Sequence, residues 1–267
     1  MSSQTSDPFV NFKAAQREAW GLFAPLETLT TPAAGLLVAY ARVQPSDRVL
    51  DLACGTGVVA VTAAQLGANV SGLDLSPVLI EHAKENAQIA GVKIDFTDGD
   101  AEYLPYKDAT FDVVLSQFGH MFAPRPDVVV SEMLRVLKPG GTIAFSTWPP
   151  EMFTGKMFSL VAKYLPPPEG VAPPPMWGDP NVIRERLKGV SNIEFDRREL
   201  LKPSLSPRHS LEQFRATAAP VIKIYGTLSK ENPGKLEQFE QEMLELVGTY
   251  TRLNVLHQHF LMTRGVK

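Results

Sequence analysis

The stretch from Arg48 to Ala60 places the strongest constraint on the fold of this chain. It reads R-V-L-D-L-A-C-G-T-G-V-V-A, an apolar run that includes Asp51, then a glycine turn, then an apolar, alanine-rich segment. A strand followed by a glycine turn and the start of a helix is the arrangement that binds phosphates or nucleoside cofactors in open α/β sheets. One glycine, Gly55 or Gly57, is expected to adopt a positive φ, and the other to let a ligand approach the backbone.

The turn by itself leaves two kinds of cofactor open. Gly55-x-Gly57-x-x-Ala60 matches the dinucleotide fingerprint G-x-G-x-x-G/A, and Asp74 follows at a distance suited to holding ribose hydroxyls. A lone G-x-G is a weak signal, however. Asp51 lies just before the turn, where its carboxylate could reach a cationic amino group. This acid favours a ligand that carries a positive charge near the turn.

The D-x-A-C-G-T-G arrangement resembles motif I of the class I S-adenosylmethionine-dependent methyltransferases, which has the pattern D/E-x-G/A-x-G-x-G. In that family the loop holds the methionine part of the cofactor, so no third glycine is needed for a pyrophosphate. Ala53 replaces the more frequent glycine, a tolerable change. The overall pattern is similar to the small-molecule branch that includes the ubiquinone and menaquinone C-methyltransferases. Specific motifs carry the resemblance over about residues 35 to 148.

Further motifs that resemble the family follow in order along the chain. The resemblance implies that Asp74, at the end of a predicted strand, accepts both ribose hydroxyls. Gly99-Asp100-Ala101 resembles the family's G-D-A, in which the acid binds the adenine amino group, and residues 137–141 resemble its structural L-K-P-G-G turn. The predicted cofactor-binding residues are Asp51, Ala53, Gly55, Gly57, Asp74, Leu75, Asp100, Ala101 and Gln117.

Alternating strand and helix patterns predict an α/β fold with a Rossmann-like, doubly wound, mostly parallel sheet. The resemblance adds an antiparallel last strand, N-terminal helices and a helical cap insertion. We expect a single methyltransferase domain over residues 1–267. Within it, residues 1–44 form N-terminal helices, 45–148 the cofactor-binding core, and 149–267 the remaining strands with a proline-rich loop and the helical cap.

The predicted elements can be given by number. The strands after the first cover residues 69–75, 92–96, 111–116, 142–148, 193–201 and 253–263. The helices cover residues 10–23, 33–43, 77–90, 127–137, 182–188, 210–219 and 234–248. Thr31 is the predicted N-cap of the second helix, with Pro32 at its first position. Residues 1–8 are polar and are expected to have no regular structure.

Composition and charge exclude several classes of function. The net charge of −3 lacks the basic balance of a nucleic-acid-binding protein. Cys54 is the single cysteine, so neither an intramolecular disulfide nor a thiolate metal cluster can form. The sequence contains neither an apolar run long enough to span a bilayer nor a secretory signal pattern. We therefore expect a cytoplasmic monomer or homodimer that acts on a small molecule, without a metal, a membrane span or nucleic acid.

The resulting hypothesis is methyl transfer from S-adenosylmethionine to a small, apolar or aromatic acceptor. His120, in the loop after the fourth strand, is the candidate general base, because it alone in that loop titrates near neutral pH. Gly119 is expected to let the loop aim the ring inward. A structural histidine bonded to a backbone carbonyl is the alternative. Aromatic residues in the segments expected to cover the site are Phe12, Trp20, Phe23, Phe153, Phe158, Trp177, Phe214 and Tyr225.

Two other functions remain open for the whole chain. One is a catalytically silent S-adenosylmethionine-binding protein with a regulatory or assembly role, since methyl transfer needs no invariant base. The other is an NAD-dependent dehydrogenase, because Tyr103-x-x-x-Lys107 imitates a short-chain dehydrogenase pair. Pro105 lies between these two residues and prevents them from occupying successive turns of a regular helix. The dehydrogenase is therefore the weaker alternative.

Overall fold

A computed structural model describes residues 7–267, so the first six residues of the segment 1–8 lie outside the described part. A central sheet runs through the molecule. Its strands are β1 (Arg48–Leu52), β2 (Asn69–Asp74), β3 (Asp95–Asp98), β4 (Phe111–Gln117), β5 (Leu137–Thr147), β6 (Ser191–Pro203), β7 (Thr251–Arg252) and β8 (Val255–Val266).

The strand order is β3-β2-β1-β4-β5-β8-β6, with the short β7 also paired to β8. β1 to β5 pair in parallel, whereas β8 runs antiparallel to both β5 and β6. The predicted fold class is therefore confirmed: the sheet is mostly parallel and its last long strand is reversed. The carboxyl ends of β1, β2 and β4 meet at one edge, where open α/β sheets bind ligands.

Helices flank this sheet. They are α1 (Val10–Trp20), α2 (Glu27–Tyr40), α3 (Val58–Gln65), α4 (Pro77–Ile89), α5 (Pro126–Val136), α6 (Phe153–Tyr164), α7 (Pro180–Arg186), α8 (Pro207–Thr217), α9 (Ala219–Glu231) and α10 (Pro233–Tyr250). Among residues 7–267, no single helix is both long and apolar enough to cross a membrane. Only the bent combination of α1 with residues 24–40, which meet at 60°, passes by length and composition.

The core lies on both faces of the central strands. On β4, Val114 belongs to one buried cluster, while Val113 and Leu115 belong to the cluster on the opposite face. This burial on both faces explains why the strand reads as a continuous apolar run. A third cluster joins α6 to the three helices between β6 and β8, with Phe153, Leu211, Ile224, Phe239 and Met243 among its members.

The predicted start of the second helix is wrong. α2 begins at Glu27, and Pro32 lies inside it. The proline is tolerated because it lies just over one turn from the helix start, where its missing N–H costs a single intrahelical bond. The Thr31 hydroxyl donates to the Glu27 carbonyl (2.8 Å) instead of capping. The additional turn brings Leu29 and Thr30 to the ligand-binding edge of the sheet.

The L-K-P-G-G segment also differs from the predicted turn. β5 begins at Leu137, so the segment lies within the strand. Phe111 pairs with Leu137, but Val113 already pairs with Thr142, so the segment forms a bulge opposite β4. Gly140 adopts a φ of +78° there, which explains the glycine at this position. The predicted turn is thus a strand bulge.

Candidate functional site

The turn after β1 has the geometry expected of a cofactor loop. Gly55 and Gly57 both adopt positive φ angles, +57° and +82°. A side chain on Gly57 would lie 3.1 Å from Ala83 and from Phe96, whereas no atom of residues 7–267 lies within 4 Å of the Cβ position of Gly55. Gly57 is therefore needed for packing against α4 and β3, and Gly55 leaves space where a ligand can approach the backbone.

Asp51 presents a buried carboxylate to the same space. Its side chain lines the cavity at the carboxyl edge of the sheet and is 1% exposed. Oδ2 accepts a hydrogen bond from the N–H of Ala60 (2.9 Å), but Oδ1 has no partner among the described residues. Burial raises the pKa of Asp51 to about 8. A buried acceptor without a partner fits the cationic amino group predicted at this position.

Asp74 joins the end of β2 to the glycine turn. Oδ2 accepts from the N–H of Gly55 (2.8 Å), and Oδ1 accepts from the N–H of Ser76 (2.9 Å). Burial raises the pKa of Asp74 despite these bonds. Each carboxylate oxygen has a second lone pair, so the group can still accept bonds from two hydroxyls of a ligand. Asp74 and the following Leu75 both line the cavity.

Asp100 is held in an ion cluster that sequence reasoning missed. Lys13 on α1 donates to Asp100 and to Asp7 at 2.7 Å each, and also to Glu102. Arg125 binds Glu102 as well, at 2.6 and 2.9 Å. The three carboxylates could suggest a metal site, but the Lys13 ammonium already bonds all three of them. No local pattern reveals Lys13, because its partners Asp100 and Glu102 lie 87 and 89 residues away.

The loop after β4 packs directly on the loop after β1. A side chain on Gly119 would lie 2.5 Å from Cβ of Ala53 and 2.7 Å from its carbonyl oxygen. Gly119 has an ordinary φ of −95°, so glycine is needed for this contact and not for a sharp turn. Phe118 adopts a φ of +61°, and its ring stacks on Trp148 with 4.0 Å between centroids. Gln117 donates from Nε2 to the carbonyl of Thr30 (3.0 Å).

The position of His120 argues against its predicted role as general base. The side chain is 1% exposed, packs against Phe145 and Trp177, and does not belong to the cavity lining. Burial, together with the charge of Arg186, lowers its pKa to about 3, so the ring is neutral at physiological pH. Neither ring nitrogen has a partner among the described residues, so the alternative bond to a backbone carbonyl is not formed either.

One cavity connects these loops to the helices that cover them. Of the predicted cofactor-binding residues, all except Gly57 line it. Four of the eight predicted aromatic residues line it as well: Trp20, Phe23, Phe158 and Phe214. Phe12, Phe153, Trp177 and Tyr225 do not. Three further aromatic residues line the cavity: Phe118 and Phe122, in the loop after β4 that was expected to meet the acceptor, and Trp148, which was not predicted.

Comparisons with known proteins agree on the family. A family model described as a methyltransferase domain matches residues 50–145. An uncharacterised protein of Mycobacterium tuberculosis is 32% identical over 252 residues, which cover 92% of both chains. A demethylmenaquinone methyltransferase of Clavibacter sepedonicus is 38% identical over 125 residues, 45% of this chain and 50% of that protein. The crystal structure of the YcgJ protein of Bacillus subtilis has a TM-score of 0.62 at 19% identity, covering 88% of this chain and 97% of that one.

This chain belongs to the class I S-adenosylmethionine-dependent methyltransferases. The predictions of the family, of the enzyme class and of S-adenosylmethionine as cofactor are thereby confirmed, and the dehydrogenase alternative loses its support. The assignment of individual cofactor-binding residues stays a prediction. The mycobacterial relative is similar over nearly its whole length but is uncharacterised, so it does not indicate the methyl acceptor.

Proposed function

We propose that the methyl acceptor is a small, largely apolar or aromatic molecule. The observation that carries this proposal is the lining of the cavity beyond the cofactor loops. Aromatic and aliphatic side chains predominate there, with a few uncharged polar groups, and the helices α1, α2, α6 and α8 supply many of them. Pockets of this kind bind small molecules, with the few polar groups fixing orientation. A net charge of −3 gives no support to nucleic acid as the acceptor.

The cofactor is proposed to occupy the half of the cavity formed by the loops after β1, β2 and β3. Asp51 would bind the methionine amino group, and Asp74 the ribose hydroxyls. Asp100 would bind the adenine amino group while keeping its bond to Lys13. The backbone at Ala53 and Gly55, with Leu75, Ala101 and Gln117, would complete the cofactor contacts. Orphaned Oδ1 of Asp51 and the open space at Gly55 support this placement.

The chain's own contribution to catalysis is proposed to be alignment and exclusion of water. S-adenosylmethionine supplies a methyl group that is already activated on a sulfonium. Holding the acceptor in line with it can lower the barrier by roughly 7–11 kcal/mol. Among residues 7–267, the titratable side chains of the cavity lining are Lys13, Asp51, Cys54, Asp74 and Asp100. All five belong to the cofactor half or its ion cluster.

It follows that the acceptor half offers no general base among the described residues. The nucleophilic atom of an acceptor that suits this cavity therefore needs no deprotonation by the enzyme. It either reacts through a lone pair while neutral or is already ionised in water. This conclusion replaces the predicted role of His120. The proposed methyl acceptors are thus limited to molecules that react without an enzymatic base.

The proposal is tested by methyl transfer from radiolabelled S-adenosylmethionine. The purified chain is incubated with the small-molecule fraction of a cell extract, and in parallel with RNA, DNA and the protein fraction. We expect labelled product and S-adenosylhomocysteine to form with the small-molecule fraction. Label that enters only nucleic acid or protein contradicts the proposal. S-adenosylhomocysteine binding without turnover on any fraction supports instead a silent cofactor-binding protein.

A variant pair separates the acceptor half from the cofactor half. Trp148→Leu removes an aromatic wall of the cavity and should raise the KM for the acceptor while leaving the Kd for S-adenosylhomocysteine unchanged. Trp177→Leu is the matched control for loss of a buried indole, because Trp177 does not line the cavity. An equal rise in acceptor KM in both variants indicates general destabilisation and not an acceptor contact.

A further inference from the structure

Gln258 on β8 is a buried polar side chain whose donor is unused. Its side chain lines the acceptor half of the cavity, and the residue is 4% exposed. Oε1 accepts from the Thr154 hydroxyl at 3.3 Å, and Nε2 has no hydrogen-bond partner among residues 7–267. Buried amide groups are nearly always paired, because leaving one unpaired costs free energy. The position of this amide therefore calls for a ligand that accepts a hydrogen bond.

The surroundings of Gln258 define the shape of that ligand. Phe260 lies on the same face of β8, two residues further along the strand. Its ring packs edge-on against the rings of Phe118 and Trp148, with centroid distances of 5.5 Å and 6.3 Å. Phe118 and Trp148 stack within 10° of parallel and line the same cavity. The amide is thus placed beside an aromatic wall, which suits a flat, apolar molecule.

Phe118, one of the residues of this aromatic wall, has a strained backbone. A φ of +61° is rare for a residue with an aromatic side chain. Strain of this kind persists only where the surrounding structure imposes it, and it gathers at ligand sites. Gly119 fixes the loop on Ala53, the residue that opens the cofactor turn. The wall and the cofactor turn are therefore held in a fixed relation.

We propose that Gln258 determines the specificity for the acceptor by donating a hydrogen bond from Nε2 to an oxygen of the bound molecule. The acceptor class is then a flat, apolar molecule that carries a carbonyl or ionised hydroxyl oxygen at one edge. Thr154, through its bond to Oε1, orients the amide so that Nε2 remains available. This inference rests on the proposed function, because it takes the apolar half of the cavity to be the acceptor site.

The test compares two probes that differ in one oxygen, α-tetralone and tetralin. Each is titrated calorimetrically into the full chain saturated with S-adenosylhomocysteine. We expect the wild type to bind the ketone about tenfold more tightly than the hydrocarbon, the value of one buried hydrogen bond. In Gln258→Leu the ketone should lose this advantage while tetralin binds as before.

Thr217→Val is the matched control. Thr217 also lines the cavity, but its hydroxyl already donates to the Gln213 carbonyl within α8 (2.7 Å), so its removal should leave the ketone preference at tenfold. Gln258→Met serves if the leucine variant does not fold.

Three results overturn the inference. They are equal affinities of the wild type for the two probes, a ketone preference that survives Gln258→Leu, and failure of both probes to bind. The Kd for S-adenosylhomocysteine, measured in the same samples, separates the two proposals. Normal cofactor affinity without a ketone preference overturns the role of Gln258 alone. Lack of cofactor affinity in the wild type counts against the proposed function.

Discussion

Asp51→Asn should weaken cofactor binding and remove its dependence on pH. The structure buries this carboxyl with one free oxygen at the cavity and raises its pKa to about 8, mainly because of burial, with the nearby Asp74 contributing. Without a ligand the group is therefore largely protonated at pH 7. A cationic amino group placed against Oδ1 favours the ionised form, so cofactor binding should release a proton.

The size of the effect follows from the pKa. At pH 7 a carboxyl with a pKa of about 8 is about nine-tenths protonated, so binding should release about 0.9 proton. As the pH rises toward 7, the Kd for S-adenosylhomocysteine should then fall by up to about tenfold per pH unit, and it should level off above pH 8. Asparagine keeps the shape but loses the charge, so at pH 8 the Kd should rise roughly 10- to 100-fold, the value of a charged hydrogen bond.

The raised pKa of Asp51 also affects the stability of the fold. A carboxylate with a lowered pKa stabilises the fold as the pH rises, whereas Asp51 has the opposite effect. Between about pH 4 and pH 8 the folded protein holds a proton on Asp51 that the unfolded chain has lost. The free energy of unfolding of the ligand-free protein therefore falls as the pH rises through this window. The total is on the order of 5 kcal/mol at most, since one pKa unit corresponds to about 1.4 kcal/mol. Asp51→Asn should lack this loss and melt at a higher temperature than the wild type at pH 8.

Calorimetric titration with S-adenosylhomocysteine at pH 6, 7 and 8, in two buffers of different ionisation enthalpy, measures both the Kd and the protons released. Asp112→Asn is the control, because Asp112 is a carboxylate of the same sheet that pairs with Lys138 and does not line the cavity. It should bind as the wild type does. A Kd that stays flat from pH 6 to 8 in the wild type, with no proton released, would refute the reasoning.

Three further predictions concern single residues. Asp74→Asn should raise the Kd for S-adenosylhomocysteine about tenfold or more in calorimetric titration, because it loses the charge that accepts the ribose hydroxyls; an unchanged Kd would leave Asp74 with only its backbone bonds. His120→Phe should keep turnover within a few-fold of the wild type and lose less stability than the wild type between about pH 6.5 and pH 4. The reason is the lowered pKa of His120: as the pH falls below about 6.5, the unfolded chain takes up a proton that the folded protein does not, and this favours unfolding. A large loss of kcat in His120→Phe would restore a catalytic role. Lys13→Met should lower the free energy of unfolding by roughly 3–5 kcal/mol in denaturant titration, since it leaves Asp100 and Glu102 short of a cation, and a change below 1 kcal/mol would show that Arg125 compensates alone.

The sequence predicted those parts of the molecule whose signal is local. The strand, the turn and the helix start between Arg48 and Ala60 are contiguous in the sequence, so their pattern is local. The resemblance to the family placed the loops after the next strands at the same edge of the sheet. The helix α4 could also be predicted, because its apolar residues recur at helical spacing. All but one of the predicted cofactor residues line the cavity for this reason.

The missed elements had signals of two kinds. α9 carries Val221, Ile224, Tyr225 and Leu228 at helical spacing, all of them buried, so this helix has a local signal in the sequence. α6, which begins at Phe153, three residues after the proline pair at positions 149 and 150, was not predicted. The position of His120, by contrast, has no local signal. Its burial depends on Trp177, which arrives from a distant 3-10 turn, Pro174–Gly178.

The contact between Gly119 and Ala53 explains why the two halves of the cavity form one site. The loop after β1 carries the predicted methionine contact, and the loop after β4 carries Phe118, a wall of the acceptor half. At their crossing point the backbone of one loop approaches the other so closely that a single methyl group on Gly119 would overlap Ala53. Transfer of a methyl group depends on alignment to a fraction of an ångström. We therefore expect glycine at this crossing to set the distance between the proposed cofactor site and the proposed acceptor site.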